Sequence, residues 1–481
     1  MSNTEKLTKK AIAVQIIAAL GASIGGIPNG MLTGWTAPVI PKLQLPNSPI
    51  PITETDVVWL ESIIWIGCIV GLPLTIFLLN RFGSKVSTLI AAVQNLIAWI
   101  LIGCATSVEF LYVSQFISGI ANNNAFVSTP IYISEIADKR IRGFLGTFTY
   151  TTLLTGVIVV YAVAPFVSLT ALSLVAELFL VVQLVIFPFM PNSPYYLLVK
   201  GKTETARKAL KYLRATEDVE QELDEIAVAV ERQQSERGRL IDLFVIKSNR
   251  KAIIIMTMLN FTQNFSGISV TIMNIHSILE DAVTLSTNTA AILFSLLMLL
   301  ASLCTSAVID KVGRKMILGC SSFLTGICLF VIAIYFTLKH SGADVKPYNW
   351  ILLVSIMMYA ISFKFGIGLV PIVMTGEIFS TNIKALGVTL ADAMYVLFGL
   401  ASINLYQFLK QNYGIYVPFY IFGCCCFGAG FFTVFYIPET KGKTLEEIQL
   451  LLKSQKQQFS YGLLHSDNAV TDNGGPNEDT R

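Results

Sequence analysis

The sequence predicts an all-α membrane protein: twelve transmembrane helices in two six-helix bundles, with a cytoplasmic helical linker between the halves. Three observations predict it. Of 481 residues, 54% are hydrophobic and only 14% charged, against roughly 25% charged in soluble domains. Twelve long, nearly uncharged runs follow one another, at 11–33, 57–79, 86–108, 110–134, 144–166, 167–190, 252–279, 289–309, 316–338, 350–376, 385–409 and 414–437. A highly charged stretch separates the sixth run from the seventh, leaving six on either side.

Each run is about twenty residues or longer, enough to cross a hydrocarbon core of roughly 30 Å as a helix. The first follows Lys6, Lys9 and Lys10 as a signal peptide would. It lacks a clear cleavage site and is long enough to span, so it is read as the first helix. Alternate short loops hold Arg81 and Lys85; Lys139, Arg140 and Arg142; Lys311, Arg314 and Lys315; and Lys384. The opposite set holds Lys42, Lys339, Lys346 and Lys410, four basic residues against nine. The positive-inside bias puts the richer loops, the linker and both termini in the cytoplasm.

The chain then divides into a cytoplasmic N-terminus (1–10), an N-terminal bundle (11–190), the linker (191–250), a C-terminal bundle (251–437) and a cytoplasmic tail (438–481). The tail ends "SDNAVTDNGGPNEDTR" and reads as disordered from about 452. Within the linker, "TETARKALKYLRATEDVEQELDEIAVAVERQQ" reads as one or two helices with a weak amphipathic stripe, serving either as a latch between the halves or as a solvated connection.

A net charge of +3 gives no reason to expect nucleic acid. The eight cysteines lie inside or at the ends of the apolar runs without C-x-x-C spacing, which fits small packing residues better than metal or redox sites. With no Ser/His/Asp constellation, phosphate loop or metal cluster, the sequence predicts neither enzyme activity nor a cofactor.

A short motif recurs at the same place in each half. The turn after the second run is "NRFGSKVS" (80–87) and the turn after the eighth is "DKVGRKMI" (310–317). Each places a glycine between basic residues, and matched repeats at corresponding positions are how duplicated transporter halves look in sequence. The turns after the fourth and tenth runs match as well, "SEIADKRIRG" (134–143) and "GEIFSTNIKA" (376–385), with a base seven residues after each Glu. A carboxylate at the membrane edge is costly unless paired, so Glu135 is expected to pair with Arg81 or Lys85, and Glu377 with Arg314 or Lys315. Arg142, Asp310 and Lys384 complete the two sets. Such clusters either break and re-form as the halves rock or anchor the interface statically.

The seventh run is interrupted by "NFTQNFSGIS" (260–269), which puts Asn260, Gln263, Asn264, Ser266 and Ser269 among apolar neighbours. Polar groups at this depth face a water-filled cavity or another helix. Glu61, Glu177, Lys364 and Asp392 also lie within predicted spans, with Lys364 and Asp392 as candidate partners.

These segments, together with "PNSPYYLLVKGK" and the terminal "IPETKGKTLEEI" that contains Glu439, resemble the sugar porter family of the major facilitator superfamily. The similarity covers nearly all of 11–450. The opening "GMLTGWTAPVIPKL" and the "VVWLESI" start of the second helix look most like its facilitated trehalose transporter branch. The resemblance implies the major facilitator fold, a small-molecule sugar or related solute bound near the bilayer midplane, alternating access, and a multi-pass protein of the plasma membrane. It says nothing of oligomeric state.

Carried over residue by residue, the seventh-helix signature keeps Gln263, Ser266, Gly267 and Ile268. Asn264 stands for a second Gln, Ser269 for an Asn, and Met273 and Asn274 for a tyrosine pair. In the tenth helix Ile372 replaces the family's Trp, and in the fifth "TYTTLLTG" (149–156) offers threonines. The expected binding residues are therefore Gln263, Asn264, Ser269, Asn274 and Thr152. The gating residues are Arg81, Lys85, Glu135, Arg142, Asp310, Arg314, Lys315, Glu377, Lys384 and Glu439. Pro28 stands where proton-coupled relatives carry an Asp, which favours facilitated diffusion of a sugar such as trehalose or a hexose. A different small organic solute, or a non-transporting sugar sensor, remain as alternatives.

Overall fold

The structure, a computed structural model, describes residues 8–138, 140–235, 241–280, 285–379, 383–443 and 445–453. The expected disordered end of the tail, beyond 453, lies outside them. Nine helical stretches among the described residues are long and apolar enough to cross a membrane. One of these, Glu54–Gly103, has 50 residues and would extend about 75 Å if straight, more than twice a hydrocarbon core. It breaks at Gly83 (φ 82°) and so supplies spans 2 and 3. Two further spans complete twelve: Val108–Ile136 (span 4), and span 7, made of Lys247–Phe265 followed by Ile268–Leu279. The others are Lys9–Ser23 continued by Gly26–Gly34 and Thr36–Leu43 (span 1), Arg142–Val163 (span 5), Leu169–Ile186 (span 6), Thr287–Val312 (span 8), Arg314–His340 (span 9), Asn349–Phe365 with Val370–Ile378 (span 10), Lys384–Tyr413 (span 11) and Tyr416–Tyr436 (span 12).

Local chemistry sets the ends. Thr53 and Asp56 form a reciprocal cap, with the Thr53 N–H donating to Asp56 at 2.7 Å and the Asp56 N–H donating to the Thr53 hydroxyl at 3.3 Å. Thr8, Ser168 and Ser286 cap spans 1, 6 and 8 one-sidedly, each hydroxyl accepting from the backbone N–H three residues on. Between spans 1 and 5 the backbones nearly touch: a Cβ at Gly30 would lie 1.8 Å from the Leu153 carbonyl oxygen. Small residues permit such approach where lipid supplies no hydrophobic drive.

Two spans expected to be continuous are interrupted at their polar centres. Span 7 ends one helix at Ser266 and begins the next after Gly267 (φ 78°). Span 10 stops at Phe365 and resumes at Val370. Pro371 lacks a backbone donor and removes one rung there, while Gly366 leaves no room for a side chain against Ser321.

The linker forms the two helices expected within 203–234, with a short helix on either side. It comprises Pro194–Val199, Thr203–Arg214, Glu220–Ser235 and Asp242–Val245, around a small core of Leu197, Ala206, Leu210, Val219 and Leu223. It docks on the N-terminal half. Arg214 donates to the Ile136 carbonyl (2.9 Å), and Gln15 donates to the Leu213 carbonyl (3.1 Å) while accepting from the Asp138 N–H (2.8 Å). A helix at Leu445–Lys453 returns against spans 7 and 10 on the same face.

Candidate functional site

On the linker face, span 8 ends at Gly313 (φ 109°) and span 9 starts at Arg314. The Glu439 carboxylate lies over this turn and accepts from the backbone N–H groups of Arg314 (3.0 Å), Lys315 (3.0 Å) and Lys441 (2.9 Å). The first N–H groups of a helix lack partners and carry partial positive charge, which a carboxylate satisfies. Partial burial pushes the Glu439 carboxyl upward, but these backbone donors outweigh it and hold it below the usual glutamate range. A Cβ at residue 313 would lie 2.7 Å from the Glu439 carboxylate, so glycine is required twice over. The Arg314 guanidinium turns inward to Glu377 at 2.8 Å, and the Thr440 hydroxyl donates to the other oxygen of Glu377 at 2.8 Å.

The equivalent turn in the first half is built differently. Ser84 stands at the place of Arg314 and donates to Glu135 at 2.6 Å. The Tyr196 ring covers Gly83, where a Cβ would meet it at 2.7 Å, and its hydroxyl donates to the Arg81 carbonyl at 2.9 Å. The expected pairing of Glu135 with Arg81 or Lys85 is not formed. Lys85 instead donates to the carbonyls of Pro188 (2.7 Å) and Met190 (2.6 Å), just past span 6, where helix-end carbonyls lack intrahelical partners. Arg142 is exposed and contacts the Ala137 carbonyl at 3.4 Å. The side chains of Asp310 and Lys384 lie outside the described residues.

At the break of span 7, the polar residues divide into two groups. Asn260 donates to the Ala391 carbonyl (2.7 Å) and Asn264 to the Tyr395 carbonyl (3.1 Å), so both amides tie span 7 to span 11. Gln263 makes only a long contact, 3.4 Å, to the Gly368 carbonyl in the break of span 10. The Asn264 Oδ1 is buried and has no hydrogen-bond partner among the described residues. The Trp65 Nε1 is in the same condition. Its ring lies 6.1 Å from that of Tyr395 and packs on Gly399. Ser269 is half-buried just past the break. Thr152 is placed elsewhere: its hydroxyl returns to the Phe148 carbonyl (2.9 Å) and would lie 2.3 Å from a Cβ on Gly26, inside the contact between spans 1 and 5.

Asn274 belongs to a third region, where the halves meet on the face opposite the linker. It donates to Glu61 at 3.0 Å, and Gln407 donates to the other oxygen of that carboxylate at 2.5 Å. Thr36 and Tyr161 of the first half donate to the carbonyls of Met273 (3.1 Å) and Ile272 (2.6 Å), and Ser62 meets Asn404 at 3.4 Å. Glu61, only 1% exposed, thus has two amide donors in place of a counter-ion. Lys364 and Asp392, candidate partners by sequence, form no ion pair. The Lys364 ammonium lies 5.7 Å from the ring of Tyr150 on span 5.

Sequence reasoning missed Trp65, Tyr150 and Gln407 as members of these clusters. For Trp65 a signal existed, an indole in a span opposite a glycine-containing span, but nothing local assigns it a partner more than three hundred residues away.

A family model described as "Sugar (and other) transporter" matches residues 4–452. The facilitated trehalose transporter Tret1 of Apis mellifera ligustica is 30% identical over 442 residues, covering 91% of this chain and 88% of the relative. Tret1 of Drosophila yakuba is 29% identical over 454 residues, which cover 93% of this chain and 53% of that relative. The chain therefore spans about half the length of that relative. Among solved structures, the inward open conformation of the xylose transporter XylE from E. coli has a TM-score of 0.74 at 22% identity, covering 92% of this chain and 99% of that one. That likeness shows the fold. By the family match over almost its whole length, this chain belongs to the sugar (and other) transporter family.

Proposed function

We propose that the protein carries a sugar, trehalose or a hexose, across the plasma membrane by facilitated diffusion, with the linker and both termini in the cytoplasm. The two six-helix halves, 11–190 and 251–437, rock about a site at the breaks of spans 7 and 10. The observation that carries this reading is the set of hydrogen-bonding groups left unmatched there: the Asn264 Oδ1 acceptor, the Trp65 Nε1 donor and the loosely held Gln263. Buried polar atoms without partners are costly, and sugar hydroxyls, which lose water on entering a site, supply both donors and acceptors. Trp65 offers the aromatic face that Ile372 does not. The hydrogen bonds at Glu61, Thr36 and Tyr161 support an arrangement closed on the outer face, with Arg314, Glu377, Glu439, Ser84 and Glu135 setting the balance on the inner one.

Uptake of radiolabelled trehalose and glucose into proteoliposomes tests the reading. Saturable uptake that falls at least tenfold in Gln263→Ala is expected. Uptake indifferent to that change removes Gln263 from the site. Binding without uptake identifies a sensor, and accumulation that follows an imposed pH gradient replaces facilitated diffusion with proton coupling.

A further inference from the structure

Lys364 sits in the middle of span 10, in a stretch otherwise free of charge, and is 8% exposed. Its ammonium faces two aromatic rings, Tyr150 of the opposite half and Phe363 beside it, each at 5.7 Å. No carboxylate of the described residues pairs with it, and Asp392 on span 11 does not reach it. A ring face attracts a cation but leaves its hydrogen-bond donors unused, and an unpaired ammonium at this depth in a bilayer marks a functional position.

Its neighbours place it at the proposed substrate site. The Lys364 side chain packs against Gly368, where a Cβ would lie 3.0 Å from its Cδ, and the Gly368 carbonyl is the group Gln263 contacts. The Lys364 side chain and the Gln263 amide thus both meet Gly368, while the ammonium faces Tyr150 of the opposite half.

Resting on the transport reading above, we propose that within the sugar class the preferred solute is a sugar acid, a hydroxylated monocarboxylate, its carboxylate held by Lys364 and its hydroxyls by Gln263. A single unpaired cation matches a single negative charge; a phosphate dianion would leave charge uncompensated in the membrane interior. The lysine stays with the protein, so each turnover moves one negative charge across the bilayer.

Proteoliposomes carrying the full chain, tested with D-glucuronate and D-glucose, decide the matter. Saturable glucuronate uptake that rises with an inside-positive potential is expected, with glucose the poorer substrate. Lys364→Met should lower glucuronate uptake at least tenfold and Lys364→Arg should restore much of it, with thermal unfolding of each variant in detergent reporting whether it folds. Glucose uptake without glucuronate uptake or competition overturns the inference, leaves transport intact and makes Lys364 a strut against Tyr150. Glucuronate uptake unaltered in a folded Lys364→Met overturns it as well. Absence of uptake for both solutes and for trehalose overturns the transport reading itself.

Discussion

The turns at Gly83 and Gly313 occupy the same place in the two halves and share a backbone conformation that favours glycine, yet different chemistry holds them. At Gly313 a carboxylate caps the following helix, and a buried arginine bridges to Glu377. At Gly83 a tyrosine ring covers the turn, and a serine hydroxyl bonds Glu135. The backbone geometry persists because the hairpin requires it. The charge does not, because a membrane-edge carboxylate accepts any adequate donor. The turn of the second half is therefore held by an ion pair and a carboxylate cap, and that of the first by an aromatic ring and a neutral hydroxyl donor, so loss of a cationic partner acts mainly on the second.

The largest difference is expected from removing the donors themselves. Arg314→Met leaves Glu377 without its charged partner and should cost about 3 kcal/mol, whereas Ser84→Ala should cost about 1 kcal/mol. Unfolding of the purified protein in mixed micelles measures both; equal losses would break the comparison. A double-mutant cycle sharpens it further. Coupling between residues 314 and 377 should be about 2 kcal/mol, and that between 84 and 135 about half as much.

A smaller loss, about 1 kcal/mol, is expected for Lys85→Met, since its bonds to the Pro188 and Met190 carbonyls are partly exposed to water. Their removal should loosen the end of span 6, seen as faster amide hydrogen exchange at 187–190, without altering the Arg314 cluster.

The smallest effect is pH-dependent. Glu439 is held below its unfolded value, so the stability from its cap is complete above the ordinary glutamate range and lost as pH falls through the lower folded value. Glu439→Gln should flatten that part of the stability profile. Tyr196→Leu, at the matching turn, should leave it unchanged. A profile altered equally by both would show that the two turns do not differ in this respect.

Much of this was legible beforehand, and the limits are instructive. The approach of Arg314 to Glu377 follows from residues within two repeats, because a carboxylate at a membrane edge must find a donor nearby. The same logic assigned Glu135 to Arg81 or Lys85 and failed, since Ser84 is closer and the helix-end carbonyls near Met190 draw Lys85 away. Thr152 was polar and in the right span, but it faces Gly26. Which side of a helix meets a cavity depends on rotation within the bundle, and an apolar span with few charges does not encode that rotation strongly.

By itself the sequence determined the twelve crossings, the division into halves and the duplicated turns. Hydrophobic length and glycine conformation are local properties, and lipid imposes them on each segment independently. Only the tertiary structure decided that Asn260 and Asn264 tie span 7 to span 11 while Gln263 stays loosely held. It also decided that Asn274 and Gln407 converge on Glu61, and that Lys364 faces Tyr150 with no ion-pair partner among the described residues. These outcomes depend on distances between helices up to 346 residues apart in the chain, and hydrogen bonds and ion pairs extend only a few ångströms.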